Sequence, residues 1–154
     1  MQTIRRNEVP ALGQPLAGGT LIARYWQGEK EIALIALGAD AEFEGKWAPD
    51  YEQVATTHGD GYSNTLAMAE AGSAIAAKVL ELDAHIPSAF EAHVMMVAKQ
   101  TGYLTDLRED RFYWTSSQYS AYSAFSMDFE GGWQYYDGKG NERLVRPVRS
   151  LIVQ

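Results

Sequence analysis

Apolar and polar positions alternate at two different periods along this chain, and the change of period divides it. Residues 1–19 hold Pro10, Gly13, Pro15 and the pair Gly18-Gly19, and they predict an extended arm rather than a helix. Such an arm either docks onto a larger assembly or lies as a strand on its own domain. Thr20–Trp26 and Glu31–Leu37 are apolar runs joined by Gln27-Gly28-Glu29-Lys30, the pattern of a β-hairpin. In the second run Ile32, Leu34 and Ala36 alternate with Ala33, Ile35 and Leu37. Both parities are apolar, so that strand is expected to be covered on both faces.

Helical signals follow. Ser63 or Asn64 can cap a helix over Thr65–Ala71 that stops at Gly72, and Ser73 can cap a second through Leu80. Ser88-Ala89-Phe90-Glu91 is a capping box: the serine hydroxyl takes one free N–H and the glutamate reaches back to another. Phe90, Val94 and Val97 then form an apolar stripe, and Gly102 ends the helix. Leu104–Arg111 reads as a charged connector.

The period returns to two in the last third. Phe125, Met127 and Phe129 share one parity, with Ser126 and Asp128 on the other. Glu130-Gly131-Gly132 supplies a tight turn, Trp133–Tyr136 a returning strand, and Asp137–Asn141 a looser turn. Leu144–Leu151 is a third run, which Pro147 confines to an edge or a non-bonded position. The expectation is an antiparallel meander at the centre of a small sheet. Trp114, Phe125, Phe129 and Trp133 would face inward, and the tyrosines outward. The predicted fold is α+β, one domain over residues 20–154 with two main helices packed on twisted antiparallel sheets.

At 154 residues the chain is long enough to bury a real core. It has no cysteine, so packing and hydrogen bonds must replace disulfides. That favours folding in a reducing cytoplasm, or a virion protein assembled there. The first residues lack the apolar core of a signal peptide, and no run reaches membrane-spanning length. Thirteen basic against twenty acidic residues give a net charge of −7, which argues against nucleic acid as a partner. Residues 1–100 hold seven Lys or Arg against thirteen Asp or Glu; residues 101–154 hold six against seven. The aromatic third is therefore nearly neutral and can meet a partner without strong charge repulsion.

Four motifs carry a resemblance: Ile86-Pro87-Ser88 with Glu91, Tyr113-Trp114-Thr115-Ser116-Ser117, Phe125–Phe129 with Gly131, and Val145-Arg146-Pro147-Val148-Arg149; Asp60-Gly61 with Asn64-Thr65 adds a further pattern. In this order they resemble the DUF1566 or Lcl C-terminal domain over about Asp60 to Ile152. Ala84-His85 stands where that family usually has Trp-Arg. The resemblance implies a C-type-lectin-like fold, the superfold shared with sulfatase-modifying factors. Fold alone does not fix function.

Candidate chemistry is sparse. His58, His85 and His93 include no zinc-helix spacing, and without cysteine a structural zinc site is not expected. His93 is expected in the core or at its boundary, and His85 bonding only backbone. His58 beside Asp60 could form an acid–base pair, or be an ordinary loop histidine. Residues 38–57 read as a long surface loop anchored by Trp47, in which Glu42, Glu44, Asp50 and Glu52 either gather a cation or stay solvated. Asp137–Glu142 fails as a calcium loop because Lys139 sits where an oxygen ligand is needed. No catalytic residue, metal or cofactor is assigned.

What stands out is a binding-surface composition: Gln118, Tyr119, Tyr122, Gln134, Tyr136, Asp137 and Asn141. Tyrosine gives broad amphipathic contact for few frozen torsions. The same residues also suit the outer face of any strand. Arg146 and Arg149 are expected to pair with carboxylates and close the domain, with Asp128 as one partner. The functional expectation is a non-enzymatic binding or assembly protein recognising a protein or a cell-surface glycan, such as a phage tail, baseplate or receptor-binding component. The alternatives are a purely structural virion or oligomer subunit, in the virion or the cytoplasm, and an enzyme using His58 and Asp60.

Overall fold

The computed structural model describes residues 2–154 and has ten strands and three helices. The strands are β1 (Gln2–Ile4), β2 (Pro15–Leu16), β3 (Gly19–Gln27), β4 (Lys30–Ala36), β5 (Phe43–Lys46), β6 (Phe112–Gln118), β7 (Ser123–Asp128), β8 (Trp133–Gly138), β9 (Glu142–Val145) and β10 (Val148–Val153). The helices are α1 (Gly61–Glu70), α2 (Ala74–Glu81) and α3 (Ala89–Thr101). Two mixed five-stranded sheets run in the orders β1-β10-β4-β3-β2 and β5-β9-β6-β7-β8. The fold class is α+β. Among the described residues no helix is long and apolar enough to cross a membrane.

The hairpin β3–β4 forms as its pattern predicts, and Glu31–Ala36 are all buried. One face of the first sheet packs Leu21, Ala33, Ile35, Leu151 and Val153 against Ile4, Val9 and Leu16. Those last three come from the segment expected to be an arm. It is no free arm: β1 pairs parallel with β10, and β2 pairs with β3. The other face packs Ile22, Leu34, Ala36 and Val148 against α3 and against Tyr113, Met127, Phe129 and Leu144 of the second sheet. The far face of the second sheet holds Trp114, Ala124 and Val145 against Trp47, Met68, Ile75 and Val79. The second sheet therefore sits between two cores.

Four expectations change at this level. The meander is not one sheet: β6, β7 and β8 pair in series, but the third run breaks at Pro147. β9 stays in the second sheet, while β10 crosses to the first, between β1 and β4. A residue without an N–H suits that crossing point. The long acidic loop contributes β5, an edge strand on β9. Of the stripe Phe90, Val94 and Val97, only Val94 packs against the core, half-buried: Phe90 and Val97 are exposed, and Ala89, Glu91, Ala92, Met95 and Ala98 are buried. Small alanines let α3 lie close on the sheets, so the buried face is less bulky than the exposed one. His93, expected near the core, is exposed on the same helix.

The caps are explicit. Ser88 Oγ accepts from Glu91 N at 3.1 Å, and Glu91 Oε1 accepts from Ser88 N at 2.8 Å. Gly102 closes α3 at φ +87°, a conformation that favours glycine. Ser73 caps α2. The cap of α1 is Asp60, not Ser63 or Asn64, and the helix begins four residues earlier than Thr65.

Candidate functional site

The motif residues meet at one buried polar junction. Thr115, Ser116 and Ser117 are fully buried on β6. Ser117 Oγ donates to Thr57 O at 2.8 Å and accepts from Ala89 N at 2.9 Å. Thr115 Oγ1 donates to Phe125 O. Asn64 brackets Thr57, accepting from its N–H and donating to its carbonyl, both at 2.7 Å, and also reaches Ser116 Oγ. Thr65 Oγ1 donates to Gly61 O and accepts from Ile86 N. The short hydroxyls thus tie β6, α1, α3 and the loop before α1 together. Their role is to satisfy buried backbone groups.

Beside this junction lies a buried hydrogen-bonded cluster. Glu91 Oε2 is 3.1 Å from His85 Nε2 and accepts from Tyr25 Oη at 3.2 Å. His85 is 2 % and Glu91 3 % exposed. Burial pushes the Glu91 carboxyl up, but His85 and the Ser88 hydrogen bonds outweigh it, and its pKa falls below the usual range. Burial and the neighbouring Glu91 push the Tyr25 phenol well up. Gly61 is required here: a Cβ on it would sit 2.1 Å from Glu91 Oε1. His85 was expected to bond backbone alone. It does so with Val148, but its ring also holds Glu91. Its sequence signal was only its place six residues before Glu91.

Arg146 closes the domain as expected in kind, with different partners. Its fully buried guanidinium meets Asp106 Oδ1 at 2.8 Å and Glu42 Oε1 at 3.0 Å. Burial pulls its pKa down, but Asp106 and Glu42 outweigh that and hold it above its ordinary value. Tyr113 Oη donates to the same Glu42 at 2.5 Å. Asp128 is not involved; its Oδ1 accepts from Glu130 N within the β7–β8 turn. Arg149 pairs with no carboxylate. It donates to the carbonyls of Ala17, Leu82 and Asp83, binding the N-terminal segment to the end of α2. Glu42 and Glu44 of the acidic loop thus meet Arg146 and Arg111. Among the described residues no group of three or more His, Asp or Glu side chains could hold a metal ion.

The proposed binding residues divide. Tyr119, Tyr122 and Tyr136 are 50 %, 69 % and 60 % exposed. Tyr119 meets Tyr136 edge-on at 4.1 Å and stacks on Phe125 at 5.5 Å, while His58 packs on the other ring contact of Phe125 at 5.3 Å. Tyr122 pairs with Tyr51 at 5.6 Å. Asn141 is also exposed, with its side chain donating to Gly138 O. Gln118, Gln134 and Asp137 instead spend their polar atoms on the fold. Gln118 Oε1 accepts from Val54 N and Lys139 Nζ, Gln134 donates to Ala89 O, and Asp137 holds Ser126 and Arg143.

Of the four residues expected inward, Trp114 and Phe129 are buried, Phe125 is half-buried under the tyrosines, and Trp133 is 65 % exposed. Trp133 lies on β8, which is an edge strand, and turns against Gly131 rather than into the core. The His58–Asp60 pair does not form: both Asp60 oxygens accept from Ser63.

Lys139 escaped the sequence reading except as a defect in a calcium loop. It is fully buried; its Nζ donates to Glu52 O and Gln118 Oε1 and lies 4.6 Å from the Trp47 ring centroid. With no carboxylate beside it, burial lowers its pKa to about 8. It pins the β8–β9 turn beneath Tyr51 and Tyr122. Comparison with family models and with curated proteins finds no match for this chain.

Proposed function

We propose that this chain is a non-enzymatic recognition module of C-type-lectin-like fold, related to the DUF1566 or Lcl C-terminal domain. It meets a protein or a cell-surface glycan through the tyrosines at the β6–β7 end of the second sheet, as a phage tail, baseplate or receptor-binding component would. The observation that carries the reading is the exposure of Tyr119, Tyr122 and Tyr136 as one braced cluster, while Tyr113, Trp114 and Phe129 are buried in the core. These rings brace one another and rest on Phe125 and Tyr51, so little side-chain freedom remains to be lost on binding. The polar motif residues behind the resemblance are occupied inside the fold, by backbone groups, His85 and carboxylates, so it bears on fold rather than on ligand. A glycan array and a pull-down with wild type and with Tyr119→Ala/Tyr122→Ala/Tyr136→Ala test the reading. Binding that the triple variant loses is expected; binding that survives in the triple variant contradicts it.

A structural-subunit reading also has a specific support. β8 has one side unpaired and carries Trp133 and Tyr135 at 65 % and 45 % exposure, with no proline or bulge to blunt it. Sedimentation in solution separates the two. A monomer favours recognition; an oligomer dissociated by Trp133→Lys favours the subunit role.

A further inference from the structure

The buried pair His85–Glu91 has a side that the fold does not use. Glu91 is held ionised, so the bond between them is a donation from His85 Nε2–H. This leaves Nδ1 as the second hydrogen-bonding atom of the ring. Nδ1 has no hydrogen-bond partner among the described residues and is not among the fully occluded unpaired atoms. His85 borders a cleft, a space of about 310 Å3 between the end of α2 and the middle of β10. That volume lies at the lower end of the range for small-molecule sites, roughly 300–1,000 Å3.

The rest of the lining narrows the ligand class. Tyr62 meets the His85 ring edge-on at 6.2 Å and, with Leu80 and Ala84, supplies an apolar wall. Ser150 and Asp83 supply polar groups. The two formal charges, Asp83 and Arg149, oppose each other, and Arg149 already donates to three carbonyls. Among the described residues of the lining no net formal charge is left to attract an ion. One aromatic wall, small polar groups and a buried, oriented ring nitrogen suit a neutral molecule with several hydroxyls. We propose that this cleft binds a monosaccharide or small polyol, with His85 Nδ1 hydrogen-bonded to one of its hydroxyls and Glu91 holding the ring in place. The site is separate from the tyrosine surface and stands or falls independently of it.

The test is an NMR titration of the whole chain with glucose, galactose and mannitol, followed at the amides of Ala84, His85 and Ser150, with gluconate and sulfate as charged probes. At least one neutral probe is expected to move these amides saturably. Leu80→Trp, which fills the cleft from its rim, and Tyr62→Ala, which removes the wall, should each weaken that binding about tenfold or more, equivalent to about 1.4 kcal/mol. Tyr119→Ala/Tyr136→Ala should leave it unchanged. Absence of saturable movement with every neutral probe overturns the proposal. So does preference for the charged probes, or unchanged binding in Leu80→Trp.

Discussion

The second sheet buries a row of hydroxyls on β6 between its two apolar cores and carries exposed aromatics on β8. At its β6 side Thr115, Ser116 and Ser117 are sealed in, each hydroxyl committed to a hydrogen bond with a neighbouring element. At its β8 side Trp133, Tyr135 and Tyr136 stand in solvent. Buried polar groups are tolerated only when satisfied, and they then fix one geometry. Exposed aromatics contribute little to folding and keep their apolar area for another surface. The contrast assigns stability to one region and contact with partners to the other.

Substitutions sharpen that contrast in order of size. Glu91→Ala should cost most, about 3–5 kcal/mol by urea unfolding, because it strands His85 and Tyr25 and opens the capping box. A loss below 1 kcal/mol would mean that the pair is not formed. Ser117→Ala comes next, at about 1–3 kcal/mol, since it leaves Ala89 N–H and Thr57 C=O without the hydroxyl that joins them. Hydrogen exchange should quicken at Ala89. Ser88→Ala should cost about 1 kcal/mol, the worth of a helix cap.

The smallest effect is one of pH. Lys139 has a native pKa of about 8, below its unfolded value, so between the two the unfolded chain binds more protons. Stability contributed at this site therefore rises with pH from about 8 to about 10.4. The melting temperature of wild type should gain on that of Lys139→Met across this window. Parallel curves would show that the amine is not desolvated.

The elements were largely legible in the sequence; their partners were not. The β3–β4 hairpin, the Ser88–Glu91 box and the Gly102 stop follow from local rules that need no tertiary context. Pro147 marked an interruption, but only the structure shows that the chain changes sheets there. The α3 stripe misled because side-chain size was taken for burial, whereas Ala92 and Ala98 allow the close approach that excludes Phe90 and Val97. Local alternation likewise placed Trp133 inside, although β8 turned out to be an edge. At the surface, exposure of Tyr119, Tyr122 and Tyr136 was readable. The internal commitments of Gln118, Gln134 and Asp137 depend on residues 6 to 64 positions away and were not. His85 and Lys139 became visible only once burial was known.

The division of labour is tested most directly by urea unfolding of two variants side by side. Surface substitutions away from special features stay within about 0.5 kcal/mol each. Tyr119→Ser/Tyr122→Ser/Tyr136→Ser should therefore remain within about 1.5 kcal/mol of wild type, while Glu91→Ala loses at least twice as much. A triple variant that unfolds as readily as Glu91→Ala would show that the tyrosines hold the fold together, and would contradict their assignment to a partner.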